Sequence, residues 1–268
     1  MIKAVFIDID DTLTNSNREV SMKNQEEIKR CVQKGIKIIL ASGRSRKEAV
    51  DFQEKIGSSP YIISSNGASV YDITTKKEIY NEVLKKEIVY KLLQFSNEND
   101  YIIKLNYKNE LVLNKALYLD EKDKEKTLEE LEKIIDFEDI VQCVIASFDI
   151  EKMKKLKKYL VENFPETKIT NESKRLKNPE LKPSKSYFCD ITSSAVSKGK
   201  AVRKICEYLK ISNQEIIVIG DGENDISMFE KTTNSVAMRN ALDYVKEKAA
   251  YITTSNNEDG VARILEKL

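Results

Sequence analysis

The chain has 268 residues, 41% of them hydrophobic, and its 45 basic and 44 acidic side chains nearly cancel. This length predicts one large domain with an insertion or two domains, and the balanced charge excludes the basic field that nucleic-acid-binding proteins use. The chain contains no histidine, which excludes mechanisms and metal sites that depend on imidazole. Any chemistry must therefore use carboxylates, lysine, serine, tyrosine or a cofactor.

The cysteines and the N-terminus indicate where the protein works. The four cysteines are scattered without a C-x-x-C pair, at Cys31, Cys143, Cys189 and Cys206. This spacing argues against a zinc site or a disulfide framework and is typical of a reducing compartment. The first residues, MIKAVFID, lack the long apolar region of a signal peptide, and no stretch approaches about 18 apolar residues. We therefore expect a cytoplasmic protein.

Short apolar runs that end in small or polar residues predict strands buried on both faces of a parallel sheet. Four such runs are Ala4–Ile7 before DIDDT, Ile36–Leu40 before ASGR, Tyr61–Ile63 before SSNGA and Ile216–Ile219 before GDGEND. Between the first two runs we predict a helix that Ser21 caps and that ends before Gly35. This strand–helix–strand order indicates a doubly wound α/β fold.

A different pattern occupies residues 83–192, where strand-like pieces alternate with strongly charged helices. The pieces are strands Tyr101–Asn106, Glu110–Asn114 and Ile140–Phe148 and helices Lys122–Ile135 and Glu151–Asn163. We interpret their charges as solvated helix faces. After Val196 the first pattern returns, through helices Lys198–Leu209 and Ile226–Lys231, strands Glu215–Ile219, Ser235–Met238 and Tyr251–Thr253, and a closing helix. We predict a core of residues 1–82 and 193–268 with an α+β insertion over 83–192.

Polar residues follow a predicted strand or begin a predicted helix at four places in the core. They are Asp8 and Asp10, then Ser42, Gly43 and Arg44, then Lys198 and Gly199, and finally the run Asp221–Asp225. In an open parallel sheet, ligands bind outside the carboxyl ends of the strands, where such loops converge. Five of the eight glycines lie in these loops or in SSNGA, which indicates that another group approaches the backbone closely there.

Three carboxylates at one sheet edge need a partner of opposite charge. Asp8, Asp10 and Asp221 would repel one another and lose hydration unless a cation offset their charge. Carboxylate oxygens are ligands that Mg²⁺ accepts while it keeps waters and a substrate phosphate. The free oxygen of a metal-bound Asp8 could then attack a phosphorus atom.

Other residues of the same loops suit a phosphate. Lys198 could neutralise charge on the transferring group, and Ser42 with the backbone N–H groups of Gly43 and Asp11 could bind phosphoryl oxygens. Each motif alone has a structural explanation, since Asp and Ser commonly cap helices and a Lys-Gly pair at a helix start carries little information. The occurrence of all four together, in this order, favours a functional site.

The segments DIDDT, ASGR, SKGKA and GDGEND, with a long insertion between the second and the third, resemble the haloacid dehalogenase-like phosphatases, and specifically the Cof-like subgroup. SSNGA, VAMRNA and SNNEDGVA resemble the same subgroup, so the resemblance extends from Met1 almost to Leu268. It implies a Rossmann-like, doubly wound parallel sheet core with an inserted, mobile α+β cap that sets substrate specificity.

The resemblance also implies roles for matching residues. Asp8 would be the nucleophile that forms an aspartyl-phosphate, and Asp10 would protonate the leaving oxygen and then activate water. Mg²⁺ would be bound by the Asp8 carboxylate, the Asp10 backbone carbonyl and the Asp221 carboxylate, with Asp225 behind these ligands. The phosphate would be contacted by Ser42, Lys198 and Asn224. Asp11 stands where many relatives carry glycine, which adds a negative charge near the mouth of the site.

These observations predict a Mg²⁺-dependent phosphomonoesterase that acts on a small phosphate such as a sugar phosphate or a phosphorylated cofactor. One alternative is a phosphosugar mutase of the same superfamily. Another is a non-catalytic nucleotide-binding module, because Gly220 and Gly222 follow a strand, although Asp221 and Asp225 would repel a pyrophosphate there. We expect no nucleic-acid or membrane partner and a monomer or small homo-oligomer. The insertion offers three plausible anion contacts, Arg175, Lys182 and Lys185.

Overall fold

The structure, a computed structural model, describes residues 1–116, 119–170 and 186–268. The chain divides into two compact units, one formed by Met1–Asn81 with Ser197–Leu268 and the other by Glu82–Val196. The insertion was predicted over 83–192, and this division of the chain differs from that range by one residue at its start and four at its end. The plausible anion contacts of the insertion, Arg175, Lys182 and Lys185, lie outside the described residues.

Thirteen strands and nine α-helices are described, and they are numbered here in chain order. The strands are β1 (Ala4–Ile7), β2 (Lys37–Ala41), β3 (Tyr61–Ser64), β4 (Ser69–Asp72), β5 (Lys77–Asn81), β6 (Ile102–Tyr107), β7 (Glu110–Leu113), β8 (Gln142–Ser147), β9 (Thr167–Thr170), β10 (Tyr187–Ser193), β11 (Ile216–Gly220), β12 (Ser235–Ala237) and β13 (Tyr251–Ile252). The helices are α1 (Met22–Gln33), α2 (Arg46–Ile56), α3 (Lys86–Glu98), α4 (Leu128–Phe137), α5 (Ile150–Asn163), α6 (Lys198–Leu209), α7 (Ile226–Phe229), α8 (Asp243–Lys246) and α9 (Gly260–Leu265).

The first unit is built on one eight-stranded sheet, in the order β13-β12-β11-β1-β2-β3-β4-β5. The strands from β13 to β3 are parallel, which confirms the predicted doubly wound α/β core. At one edge of the sheet, β4 and β5 add an antiparallel hairpin that the sequence analysis did not predict. These two strands are short and β5 is partly exposed, so they lack the apolar run that identified the others.

Helices cover both faces of the parallel strands. Successive residues of β1 point to opposite faces, so that Phe6 belongs to one core cluster with Val202 of α6, whereas Ile7 belongs to another with Ile28 of α1 and Leu265 of α9. Every residue of β1 and β11 is buried. Burial on both faces explains why these strands appear in the sequence as continuous apolar runs.

Two helix starts illustrate how local sequence sets the elements. The predicted cap of α1 is confirmed, since the Ser21 side chain accepts a hydrogen bond from the Asn24 N–H. The predicted helix Lys122–Ile135 begins later, at Leu128, because Thr127 and Glu130 form a reciprocal capping box there.

The second unit is an α+β domain, as predicted. Its antiparallel sheet has the order β7-β6-β8-β10-β9. One face of that sheet packs against helices through a core that includes Leu92 of α3, Leu131 of α4, Leu156 of α5 and Ile145 of β8. Within the described ranges, no helix of either unit combines the length and the apolar character needed to cross a membrane.

Candidate active site

Asp8 and Lys198 form a buried ion pair at the carboxyl end of β1. Asp8 follows β1 directly, is 6% exposed, and its backbone N–H donates to the Ile219 carbonyl at 3.0 Å. Lys198 is the first residue of α6, which Ser197 caps, and it is 1% exposed. The Lys198 Nζ donates to Asp8 Oδ1 at 2.5 Å. Two residues that are 190 positions apart in the chain therefore meet where the central strand ends.

Asp225 is the second acceptor of the lysine. The Lys198 Nζ donates to Asp225 Oδ1 at 2.7 Å, while Asp225 Oδ2 accepts the backbone N–H groups of Asp221 at 3.0 Å and Gly222 at 2.9 Å. A side chain at Gly220 would place its Cβ 2.6 Å from the Asp225 Cβ, so only glycine leaves room for this carboxylate. Asp225 thus holds both the lysine and the backbone of the GDGEND loop in place.

A third carboxylate completes an acidic cluster. Asp221 is 6% exposed, and its Oδ1 accepts a hydrogen bond from the Thr12 hydroxyl at 2.8 Å. Asp8, Asp221 and Asp225 each present a carboxylate oxygen, and these atoms all lie within 4.8 Å of one another. Such hard oxygen donors fit a divalent cation such as Mg²⁺. Asp225 is already engaged by Lys198 and two backbone N–H groups.

The electrostatics of the cluster also favour a cation. Burial raises the pKa of Asp8 well above its usual range, the carboxylates of Asp225, Asp221 and Asp10 raise it further, and Lys198 opposes them. Burial disfavours the ammonium of Lys198, but Asp225 and Asp8 outweigh this and raise its pKa. Lys198 therefore stays protonated. A bound divalent cation would favour the ionised form of Asp8 that a nucleophile requires.

Asp10 lies in the turn after β1 and is engaged by Arg44. The guanidinium donates in a fork, from Nε to Asp10 Oδ2 at 3.0 Å and from Nη2 to Asp10 Oδ1 at 2.7 Å. Burial acts to raise the pKa of Asp10, but the hydrogen bond and charge of Arg44 hold it below the usual range. The guanidinium also lies 4.9 Å from the centre of the Phe52 ring. The sequence analysis included Arg44 in the ASGR motif but assigned it no role.

Asp11 adopts a left-handed conformation, with φ of 60° and ψ of 5°. Glycine favours this region, and aspartate is among the residues that tolerate it, so the turn does not require glycine at position 11. Its carbonyl accepts a hydrogen bond from Asn240 Nδ2 at 2.8 Å, and Asn240 Oδ1 accepts the Asn256 N–H at 3.0 Å. The VAMRNA and SNNEDGVA segments therefore support the DIDDT turn.

The phosphate-binding candidates lie at the ends of β2 and β11. Ser42 is completely buried, and its hydroxyl accepts the Arg44 N–H at 3.2 Å. Gly43 lies between these two residues in the same loop. Asn224 Nδ2 donates to Asn66 Oδ1 at 3.0 Å, and the Asn66 N–H donates to the Ser42 carbonyl at 3.0 Å. Asn66, which the sequence analysis did not single out as a site residue, links Ser42 and Asn224, two of the phosphate-binding candidates.

Buried carboxylates and a buried lysine at the carboxyl edge of a doubly wound sheet are the arrangement of an α/β enzyme. The family model for haloacid dehalogenase-like hydrolases matches residues 5–265. The chain belongs to that family, and the predicted family is confirmed.

Curated relatives and solved structures agree with this assignment over the whole chain. The chain is 28% identical to a 5-amino-6-(5-phospho-D-ribitylamino)uracil phosphatase of Bacillus subtilis, with 100% of this chain and 98% of the relative covered. It is 26% identical to another phosphatase of that organism, with both chains covered completely. A Thermotoga maritima crystal structure is similar with a TM-score of 0.82 at 26% identity, over 100% of this chain and 98% of that one. A haloacid dehalogenase-like hydrolase from Bacteroides thetaiotaomicron has a TM-score of 0.80 at 26% identity, over 100% and 99%. The prediction of a phosphatase is confirmed.

Proposed function

We propose that this phosphatase is a Mg²⁺-dependent phosphomonoesterase that hydrolyses a small phosphorylated metabolite through an aspartyl-phosphate on Asp8. The observation that carries the proposal is the buried ion pair between Asp8 and Lys198 at the end of the central strand. Sugar phosphates and phosphorylated cofactors or their precursors are the candidate substrates. The ribitylaminouracil phosphate in the name of one relative belongs to this class.

The first step transfers the phosphoryl group to the protein. Lys198 holds one oxygen of Asp8, and the other oxygen attacks the phosphorus while the bond from phosphorus to the ester oxygen breaks. Asp10 donates a proton to the departing oxygen. In the second step Asp10 takes a proton from water, the water oxygen attacks the phosphorus, and inorganic phosphate leaves as the Asp8 carboxylate re-forms.

The remaining residues bind the phosphoryl group. Ser42, Gly43 and Asn224 donate hydrogen bonds to its oxygens, and Lys198 offsets its charge. Asp8, Asp221 and the backbone carbonyl of Asp10 would hold Mg²⁺, which when bound neutralises charge on the transferring group. The metal is supported by the excess of buried carboxylate over ammonium in the cluster.

Arg44 has a consequence for the acid–base role of Asp10. By keeping Asp10 ionised, Arg44 suits it to accept a proton from water in the second step. To act as an acid in the first step, Asp10 must carry a proton, which weakens its paired hydrogen bonds with the guanidinium. Asp10 therefore exchanges its contact with Arg44 for one with the ester oxygen during the first step.

Variants of the two aspartates test the covalent mechanism. Asp8→Asn should abolish turnover, because an amide cannot form the acyl phosphate. Asp10→Asn should lower turnover by roughly 10²- to 10⁴-fold. With p-nitrophenyl phosphate, whose leaving group needs little protonation, Asp10→Asn should accumulate the aspartyl-phosphate. Mass spectrometry of acid-quenched protein should show one added phosphate that hydroxylamine removes, and undiminished activity of Asp8→Asn would refute the covalent step.

Removal and exchange of metal test the cofactor. Turnover should be lost in excess EDTA and restored by Mg²⁺. Ca²⁺ should not restore it, because its larger and looser coordination lets both Asp8 oxygens bind the ion. Full activity in EDTA would refute the metal requirement. A panel of phosphomonoesters compared by kcat/KM would then identify the substrate.

A further inference from the structure

The SSNGA loop, residues 64–68, has an unusual backbone conformation. Three successive residues have left-handed φ values, Ser65 at 50°, Asn66 at 59° and Gly67 at 99°. Glycine and asparagine adopt this region readily but serine does not, so the conformation at Ser65 is one that persists where the surroundings impose it, frequently at functional sites. The buried hydroxyls of Ser64 and Ser65 have no hydrogen-bond partner in the described part of the chain. The loop is therefore not arranged for stability alone.

The loop contacts three segments of the candidate active site. The Ser65 N–H donates to the Arg44 carbonyl at 2.8 Å, and the Asn66 N–H donates to the Ser42 carbonyl, so the loop is fixed to the ASGR segment. Gly67 lies against the start of α6, where an added Cβ would lie 2.8 Å from the Lys198 backbone nitrogen. The Asn66 side chain, which is 2% exposed, accepts the hydrogen bond from Asn224.

We propose that Asn66 is a positioning residue that holds the Asn224 amide ready to bind the substrate phosphate. The hydrogen bond to Asn66 Oδ1 fixes the orientation of the Asn224 amide, whose nitrogen is a donor of the kind that binds phosphoryl oxygens. Fixing a donor before the substrate arrives removes the reorganisation that a mobile side chain would need during the reaction. The inference rests on the proposed function, because it assigns Asn66 to the same phosphate site.

A double-mutant cycle with Asn66→Gly and Asn224→Ala tests the inference. Glycine accepts the left-handed conformation, so Asn66→Gly removes the acceptor oxygen without straining the backbone. If Asn66 acts through Asn224, Asn66→Gly should lower kcat/KM for p-nitrophenyl phosphate by roughly 3- to 10-fold, the range expected for one hydrogen bond. In the Asn224→Ala background, Asn66→Gly should have no further effect. The inhibition constant of inorganic phosphate should follow the same pattern.

Lys76→Gly is a matched control. Lys76 has a φ of 56° in the turn between β4 and β5 and is exposed, so glycine there changes a left-handed residue that lies outside the site. This control should leave kcat/KM unchanged. Thermal unfolding of each variant separates a loss of stability from a loss of phosphate binding, and a lower midpoint with unchanged kcat/KM would overturn the positioning role.

Two further outcomes bear on the inference. Effects of Asn66→Gly and Asn224→Ala that multiply independently in the double variant would overturn it. If Asn66→Gly does not fold, Asn66→Ser replaces it, because the serine hydroxyl is too short to reach Asn224 and the neighbouring Ser65 already adopts a left-handed φ. A wild-type protein that turns over no phosphomonoester would refute the proposed function, whereas an active wild type with independent effects refutes only the role of Asn66.

Discussion

One ion pair from each unit shows how burial changes the role of a charged side chain. In the first unit, Lys198 pairs with Asp8 and Asp225, and the exposed fractions of the three side chains are 0%, 9% and 0%. In the second unit, Lys133 pairs with Glu129 at a similar distance of 2.7 Å, but these side chains are 65% and 77% exposed. The chemistry of the pairs is the same, and only the environment differs.

This difference shows which charges in the sequence carry functional information. A buried charge loses its hydration, so it is retained only where partners or a function compensate for that loss. An exposed pair on a helix keeps most of its hydration and contributes little. Burial, and not the number of charged residues, therefore separates the candidate active site from the charged helices of the second unit.

The largest expected effect comes from breaking the buried pair. Lys198→Met should abolish turnover and lower the free energy of unfolding by roughly 3–5 kcal/mol, because it leaves Asp8 and Asp225 buried without their cation. Urea denaturation followed by circular dichroism measures the change. Lys154→Met is the matched control, since the side chains of Lys154 and Glu151 are 57% and 65% exposed. Equal destabilisation by the two variants would contradict the comparison.

Two glycines test whether the backbone next to Lys198 must keep its position. Gly67 and Gly35 both have left-handed φ values, 99° and 83°, but a Cβ at Gly35 would meet no atom within 4 Å, whereas at Gly67 it would press on the start of α6. Gly35→Ala should therefore cost only about 1–2 kcal/mol of conformational strain. Gly67→Ala should cost more and should also lower kcat/KM, because it displaces the helix start that carries Lys198.

Chemical denaturation and phosphatase assays on both variants separate these effects. The prediction fails if Gly35→Ala lowers kcat/KM as much as Gly67→Ala does. It also fails if Gly67→Ala changes stability alone.

Much of the first unit could be predicted because its strands are buried on both faces. The run Ala4–Ile7 and the run Ile216–Ile219 predicted two strands of a parallel sheet, and both runs lie within the observed β1 and β11, which pair with each other. Since parallel strands end at one edge, the loops that follow them had to converge, which brought Asp8 and Asp225 within reach of one lysine. The catalytic and ligand roles of these residues remain predictions.

Other features depend on contacts that no local pattern encodes. The fork between Arg44 and Asp10 joins residues 34 positions apart and requires the exact course of two loops. The side-chain amides of Asn66 and Asn240, which support the site loops, lie in the SSNGA and VAMRNA segments. The resemblance to the family included these segments but implied no role for either residue. The β4–β5 hairpin was missed because its two strands, SVYD and KEIYN, contain polar residues and lack a continuous apolar run.

A smaller effect is expected from Arg44→Gln, because the Asp10 side chain is 52% exposed and solvent screens the pair. The loss of unfolding free energy at pH 7 should be below about 1 kcal/mol. Arg44 lowers the pKa of Asp10 in the folded state, so the pair stabilises the protein above the unfolded pKa and the contribution is lost as pH falls through the folded pKa. The difference between wild type and variant should therefore shrink from about pH 7 to about pH 3.

Urea midpoints across this pH range measure the difference, with Arg44→Lys as the control that keeps the charge but not the paired geometry. A difference that grows on acidification would contradict the assignment of Arg44 as the cause of the lowered pKa of Asp10.

The smallest effect is expected at the exposed pair of α4. Glu129 precedes Lys133 by one helical turn, the favourable orientation for such a pair, yet both side chains are mostly in water. Lys133→Met should change the free energy of unfolding by less than about 0.5 kcal/mol and should leave kcat/KM unchanged. In about 1 M salt, where exposed charges are screened, the difference in unfolding free energy between wild type and variant should disappear. Urea denaturation at low and high salt, with the phosphatase assay beside it, provides the measurement. A loss above about 1 kcal/mol that persists in high salt would mean that this pair is strong although it is exposed. Burial would then no longer explain why the Lys198 pair contributes more than the Lys133 pair.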